Sequence, residues 1–124
     1  MGKWTNLLVG TLAGGVARYV LAGAVYRVLG TNFPYGTLVV NLSGCLAIGI
    51  LDALAEDKFL LGPEARVLLM VGFCGAFTTF STLILETDHL LRDGEWARAV
   101  INAGGSLILG LLLFRLGLMA ARAL

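Results

Sequence analysis

The chain has 124 residues, of which 58% are apolar and 14% are charged, and its mean hydropathy is +0.88. A soluble domain carries about a quarter charged residues, and a small one buries only part of its surface, so this composition indicates a protein solvated by lipid. The formal net charge of +1 leaves no strongly basic or acidic surface, which argues against nucleic acid as a partner. Cys45 and Cys74 lie in apolar stretches without metal-ligand spacing, so neither a disulfide nor a zinc site is expected.

Four apolar segments follow one another along the chain, and each has the ~20 residues that a membrane-spanning helix needs. Short polar connectors separate them, so successive helices are expected to be antiparallel neighbours. The sequence therefore predicts an all-α integral membrane protein, with residues 1–124 forming a single four-helix transmembrane domain. The predicted spans run from about Trp4 to Leu29, from Tyr35 to about Leu54, from Pro63 to Leu91, and from Trp96 to about Ala121.

The first segment combines small residues with one buried charge. Gly10 and Gly14 are four residues apart, a spacing that lets helix backbones approach closely in lipid. The segment is too long for a signal peptide and contains Arg18, so we expect it to be a mature helix. An arginine at membrane depth either lines an aqueous vestibule, where it would concentrate anions, or extends to the interface. The sequence leaves both roles for Arg18 open.

Polar side chains also lie inside the second and fourth segments. Asn41 has Thr37 one helical turn before it on the same face, and Asn102 and Ser106 make a similar pair in the fourth segment. An amide buried in lipid needs partners, and its NH₂ group offers two donors. These side chains either join helices through hydrogen bonds or face a polar pathway, and the sequence alone allows both.

The third segment contains a run from Gly72 to Thr82 that is rich in glycine and hydroxyl side chains. Glycine and threonine are weak helix formers, so this run predicts a break in the helix. A break would expose carbonyls, which suit a cation, at one half-helix end and N–H groups, which suit an anion, at the other. The alternative is an unbroken helix whose hydroxyls bond to its own carbonyls.

Helical spacing predicts two faces around this run. Thr78 and Thr82 would share one face, with Ser81 beside them, and a second face would be aromatic. Phenyl edges carry partial positive charge and can face an anion, although an aromatic stripe is equally explained by packing. The residues of the predicted aromatic face are Phe73, Phe77 and Phe80.

The two sides of the predicted membrane differ only slightly in positive charge, so the bias that orients a chain is weak. This is expected of a chain that inserts in both orientations and pairs antiparallel, although a single orientation with a poor signal is also possible. One side carries Lys3, Lys58, Arg66, Arg115 and Arg122, and the other carries Arg27, Arg92 and Arg98.

The third segment also carries a recognisable motif, Gly72-x-x-Gly75-x-x-Thr78-Thr79-Phe80-Ser81-Thr82, followed by Leu85-Glu86-Thr87. This motif resembles the signature of the Fluc/CrcB fluoride channel family. Gly14-Gly15-x-x-Arg18-Tyr19 and Gly36-Thr37-x-x-x-Asn41-x-x-Gly44 are similar to other segments of that family, so the resemblance covers essentially the whole chain.

The resemblance implies a passive, fluoride-selective channel that exports fluoride from the cytoplasm, and not an enzyme. It implies a multi-pass protein of the cell inner membrane that forms a dual-topology homodimer with two antiparallel pores. A structural Na⁺ at the dimer centre would be bound by the carbonyls of Gly75 and Thr78. Arg18 would face a vestibule, and the implied pore residues are Asn41, Phe80, Leu83, Ser81, Thr82, Thr37, Asn102 and Ser106.

The chain departs from the family pattern at two positions. Leu83 stands where the pattern has a second phenylalanine, and Gly110 stands where the polar track of the fourth helix would continue. The main alternative is a small dual-topology exporter coupled to protons, which would need a carboxylate at membrane depth. Asp52, toward the end of the second segment, is the nearest acidic residue to that depth. A non-transporting subunit of a membrane complex is a further alternative, but it gives no reason for the polar residues to converge.

Overall fold

A computed structural model describes residues 2–124, and all of its regular secondary structure is helical. The first helix is Lys3–Leu29, the second is Tyr35–Glu56, the third span is Pro63–Arg92 and the fourth helix is Trp96–Arg122. Each is long and apolar enough to cross a membrane. The predicted four-span architecture is therefore confirmed, with most boundaries within one or two residues, and the chain is a multi-pass membrane protein.

The outer surface of the bundle is apolar, as expected for contact with lipid. Large apolar side chains are exposed along the first and fourth helices, including Leu8, Leu12, Leu107 and Leu111. The buried residues are mostly small, and glycine and alanine are prominent among them. Close packing of small residues, rather than burial of large apolar side chains, therefore brings these helices together.

Two tight helix pairs make up the bundle, and glycines set both contacts. A Cβ atom on Gly10 would lie 2.1 Å from the Leu68 carbonyl oxygen, and one on Gly14 would lie 2.2 Å from that of Phe73. The first helix therefore packs directly on the backbone of the third span. The spacing of the two glycines predicts such a close approach, although it does not indicate which helix is the partner. The second and fourth helices pack in the same way, through Gly49 on the Phe114 carbonyl and Gly117 on the Leu46 carbonyl.

Alanine at position 14 is expected to separate the first helix from the third span. The added methyl group would overlap a backbone oxygen that cannot rotate away, and overpacking of this kind costs about 1–3 kcal/mol of stability. Gly15→Ala is the matched control, because a Cβ atom on Gly15 meets nothing within 4 Å. Thermal unfolding in detergent should show a loss of stability for Gly14→Ala alone. Equal stability of the two variants would contradict this packing.

The third span changes conformation twice before it breaks. It begins as an α-helix at Pro63–Arg66, continues as a π-helix at Val67–Cys74 and returns to an α-helix at Gly75–Phe77. Thr78 and Thr79 are extended, with φ/ψ of −86°/156° and −147°/113°. A new α-helix, Phe80–Arg92, follows. The predicted break is thus confirmed, and the alternative of an unbroken helix is wrong. We call residues 63–77 the N-terminal half-helix and Phe80–Arg92 the C-terminal half-helix.

Arg66 anchors the second connector to the start of the third span. Its Nε donates to the Leu61 carbonyl over 3.1 Å, its Nη2 donates to the Ala55 carbonyl over 2.9 Å, and the guanidinium pairs with Glu56. These contacts tie the end of the second helix to the beginning of the N-terminal half-helix. The connector therefore holds the position from which the broken span enters the membrane.

Candidate functional site

The two threonines at the break complete the half-helices on either side of them. The Thr78 amide and Thr78 Oγ1 both donate to the Cys74 carbonyl, over 3.1 and 3.0 Å, so this residue closes the last turn of the N-terminal half-helix. Thr79 is the N-cap of the C-terminal half-helix, and its Oγ1 accepts from the Thr82 amide over 3.3 Å. A threonine at an N-cap satisfies one of the first amides of a helix. The local sequence therefore supports both the end of one helix and the start of the next.

Asn41 of the second helix pairs with the backbone of the break. Its Nδ2 donates to the Thr79 carbonyl over 3.1 Å, and its Oδ1 accepts from the Thr79 amide over 2.7 Å. One side chain thus takes the place of the two backbone partners that Thr79 would have in a regular helix. Because an amide nitrogen carries two hydrogens, Asn41 keeps a second donor beyond this pair.

Two backbone carbonyls near the break are separated from the donors that a continuous helix would provide. The Thr79 amide, which would bond to the Gly75 carbonyl, donates to Asn41 instead. The Thr82 amide, which would bond to the Thr78 carbonyl, donates to the Thr79 side chain. Carbonyl oxygens of this kind are suitable ligands for a hard cation. Within residues 2–124, no cluster of histidine, cysteine and carboxylate side chains forms a metal site.

A groove of about 530 Å³ lies beside the break and opens at the surface of the chain. The second helix, both half-helices and the fourth helix contribute to its walls, which are mostly apolar with a few hydroxyl and amide groups. We call it the break groove. It is lined by Asn41, Gly44, Cys45, Ile48, Met70, Cys74, Gly75, Thr78, Thr79, Phe80, Leu83, Ile84, Ala103, Ser106 and Leu107.

Ser106 is the polar residue that the fourth helix contributes to the break groove. Its side chain is buried, with 9% of the residue exposed. Within the described part of the chain, Ser106 Oγ has no hydrogen-bond partner. Buried hydroxyls almost always have a partner, so an unpartnered one needs an explanation, and a bound water or ion is one of the explanations.

A second group of polar contacts extends along the C-terminal half-helix, away from the break. Glu86 accepts hydrogen bonds from Tyr26, over 3.0 Å, and from Thr37. At the position after Glu86, Thr87 Oγ1 accepts a hydrogen bond from Asn102 Nδ2 over 3.0 Å. Adjacent residues of this half-helix therefore bond to the first and second helices on one side and to the fourth helix on the other.

These two groups form a continuous series of polar positions. Thr37 lies one helical turn before Asn41, and Asn102 lies one turn before Ser106. Asn41 and Ser106 line the break groove, while Thr37 and Asn102 contact the C-terminal half-helix. Polar groups therefore lead from the break toward the end of the third span. Such an arrangement can replace the hydration shell of a small ion.

Comparison with known proteins assigns the chain to a family. Residues 5–118 match the family described as CrcB-like protein, Camphor Resistance (CrcB). The chain belongs to the CrcB family. A relative from Chlorobaculum tepidum is 50% identical over 94% of this chain and 93% of its own length, and it is named fluoride-specific ion channel FluC. A relative with the same name from Nitratidesulfovibrio vulgaris is 48% identical over 93% of this chain and 92% of its own length. Another, from Maridesulfovibrio salexigens, is 44% identical over 89% of this chain and 87% of its own length. The family is one of ion channels rather than enzymes.

The CrcB fold places the predicted pore residues in different surroundings. Asn41, Phe80, Leu83 and Ser106 line the break groove together, and the predicted sodium ligands Gly75 and Thr78 lie in the same lining. Thr37 and Asn102 belong to the second polar group. Ser81 is exposed, and Thr82 Oγ1 accepts from Thr79 Oγ1 over 2.9 Å; neither contributes to the groove lining.

The aromatic face predicted from helical spacing is wrong at one position. Phe73 and Phe77 stack, with ring centroids 5.5 Å apart and an interplanar angle of 15°. Phe80 is not part of this stack and is 74% exposed. The extended residues at the break change the direction of the chain, so positions before and after them no longer share a helical period. For the same reason, Thr78 and Thr82 do not form the common face that their spacing predicts.

Arg18 has a contact that the sequence did not indicate. Its side chain is half-buried, and its Nε donates to the Ala76 carbonyl over 3.1 Å. The sequence predicted either a vestibule or an interfacial position for Arg18, and neither role included this direct hydrogen bond to the third span.

Four further residues belong to these polar groups and were not predicted as site residues. Thr79 lines the groove and pairs with Asn41, while Tyr26, Glu86 and Thr87 form the contacts along the C-terminal half-helix. Glu86 carries a signal that could have revealed it, because a carboxylate within a membrane span needs hydrogen-bond partners. The preference of threonine for the N-cap position could likewise have revealed Thr79.

Proposed function

We propose that this chain is a passive fluoride channel that lets fluoride leave the cytoplasm across the cell inner membrane. The names of its relatives support this function, and within the site the strongest support is the side chain of Ser106. Ser106 lines the break groove, and its buried hydroxyl has no partner among the described residues. A small anion in the groove would accept a hydrogen bond from this hydroxyl, and the second N–H of Asn41 is a further donor.

The chemistry of the break groove suits conduction of fluoride better than its tight binding. Fluoride is small and strongly hydrated, so a pore must supply donors as the ion loses water. A conducting site must also release the ion, which favours donors of moderate strength. Amide and hydroxyl groups such as those of Asn41 and Ser106 have this property. An arginine or lysine at the same position would hold the anion more strongly, and the groove lining contains neither.

Two copies of the chain would complete this pore as a homodimer. The break groove opens at the surface, and extended backbone at membrane depth is stable only when protein covers it or water fills the cavity. A second copy would cover the break, and the weak charge bias between the two sides supports an antiparallel, dual-topology arrangement. Each copy would then contribute one break groove, giving two antiparallel pores.

A structural Na⁺ would lie where the two breaks meet. The Gly75 and Thr78 carbonyls are separated from their helical donors, and both residues line the open groove. Two such carbonyls from each copy would supply four oxygen ligands, and oxygen is the ligand that hard cations prefer. The cation would satisfy these oxygens and stabilise the contact between the copies.

Efflux from vesicles tests this function. Purified protein in liposomes loaded with potassium fluoride should release fluoride to an ion-selective electrode once valinomycin lets potassium leave. Release should need no proton gradient, and vesicles loaded with chloride should retain it. A proton-coupled exporter is the second candidate function, because Glu86 is a carboxylate within a membrane span. Fluoride release that requires a proton gradient would support that candidate and contradict the channel.

The variant Ser106→Ala is expected to separate conduction from stability. Alanine removes a donor from the groove but breaks no hydrogen bond within the chain, so the thermal unfolding temperature should stay the same or rise. Fluoride efflux should fall by about tenfold, which is the effect of losing one hydrogen bond of ~1.4 kcal/mol to the ion. Ser43→Ala is the control, because Ser43 donates to the Val40 carbonyl of its own helix. Unchanged efflux in Ser106→Ala would remove this hydroxyl from the pathway.

A further inference from the structure

Arg18 lies at the end of the N-terminal half-helix, where the break has removed a hydrogen-bond donor. In a continuous helix the Ala76 carbonyl would accept from the Phe80 amide. The extended residues at the break place Phe80 at the start of the next helix instead. Arg18 Nε donates to the Ala76 carbonyl over 3.1 Å. The guanidinium thus supplies a donor, and a positive charge, at the negative end of a helix.

The position of Arg18 is fixed by the helix that carries it. Gly10, Gly14 and Arg18 follow one another at four-residue spacing, so they share one face of the first helix. The two glycines bring this face against the Leu68 and Phe73 carbonyls of the N-terminal half-helix. Arg18, one turn further along, contacts the next carbonyl in this series, that of Ala76. Gly10, Gly14 and Arg18 therefore all contact the backbone of the third span, and Arg18 does so at the break.

We propose that Arg18 is a positioning residue that fixes the end of the N-terminal half-helix, and with it the neighbouring Gly75 and Thr78 carbonyls. Its role is to hold the break in one geometry, rather than to draw anions into a vestibule. The transport part of this inference rests on the proposed channel function, whereas its structural part does not. The two roles differ in a measurable way, because attraction of fluoride can be replaced by a higher fluoride concentration and a fixed backbone geometry cannot.

The concentration dependence of fluoride flux separates these roles. Arg18→Gln should lower the maximal flux by about tenfold, the effect of losing one charge-assisted hydrogen bond, and the loss should persist at saturating fluoride. Arg18→Lys, which keeps a charged donor, should restore part of the flux. Arg27→Gln is the matched control, because Arg27 is an exposed arginine in the last turn of the same helix. A loss in Arg18→Gln that disappears at high fluoride would overturn the proposal in favour of anion attraction.

Amide hydrogen exchange tests the positioning role without any transport measurement. Amides of residues 75–82 should exchange about tenfold faster in Arg18→Gln than in the wild-type chain. The exchange rates of Arg27→Gln should match those of the wild type, and those of Arg18→Lys should lie between the wild type and Arg18→Gln. If Arg18→Gln does not fold, Arg18→Lys is compared with the wild type instead. Unchanged exchange in a folded Arg18 variant would overturn the proposal. If the wild-type chain moves no fluoride, the channel function fails, while this comparison still decides the role of Arg18.

Discussion

Asn41→Asp is expected to abolish most of the fluoride flux. Asn41 donates to the Thr79 carbonyl and accepts from the Thr79 amide, so an aspartate keeps the second bond and loses the first. The carboxylate would face a carbonyl oxygen that is left without its donor, which costs about 1–3 kcal/mol. It would also place a negative charge in the path of an anion, where repulsion is about 4 kcal/mol at 4 Å near a protein surface. Together these effects predict a fall in flux of at least about a hundredfold.

The same substitution at an exposed position controls for the added charge. Asn32 lies exposed in the first connector, and Asn32→Asp should leave flux close to that of the wild-type chain. Both variants are compared in the liposome efflux assay at equal protein density. Wild-type flux in Asn41→Asp would remove Asn41 from the pathway and leave its pairing with Thr79 as a purely structural contact.

Removal of sodium is expected to have a comparably large effect. If the Gly75 and Thr78 carbonyls of two copies bind one cation, replacing Na⁺ by N-methyl-D-glucamine leaves four oxygens without a partner. Each buried, unsatisfied carbonyl costs about 1–3 kcal/mol, so the contact between the copies should weaken by several kcal/mol. Fluoride efflux should fall by at least about tenfold in sodium-free solution, and it should recover when sodium is added back.

Oligomeric state measured on the same samples identifies the cause of such a loss. Light scattering in detergent should give the mass of two chains in sodium and a larger monomer fraction without it. A dimer that is fully active after exhaustive removal of sodium would contradict the cation site. A chain that is monomeric and active in both solutions would contradict the homodimer as well.

Much of the fold could be predicted from the sequence because its signals are local. Span length follows from runs of apolar residues, and the close helix contacts follow from glycines such as Gly10 and Gly14. The break follows from weak helix formers near Gly75 and Thr78, whose effect on the backbone does not depend on distant residues. Relations that span a few residues of one chain are therefore accessible without a structure.

The failures concern relations that depend on how the helices pack. The spacing of Phe77 and Phe80 suggested a common face, but two extended residues between them changed the helical period. Arg18 and Ala76 are 58 positions apart, so no local pattern indicates their hydrogen bond. Glu86 is bonded by Tyr26 and Thr37 from two other helices, and only the assembled bundle brings these side chains together.

Current recorded across a planar bilayer tests the central claim most directly. If neutral donors beside the break conduct fluoride passively, a tenfold gradient of fluoride salt should shift the reversal potential to the fluoride equilibrium value, about 59 mV from zero. Adding chloride to one side should leave that potential unchanged. Current that reverses at the chloride or proton equilibrium potential, or the absence of current from a folded protein, would contradict the account.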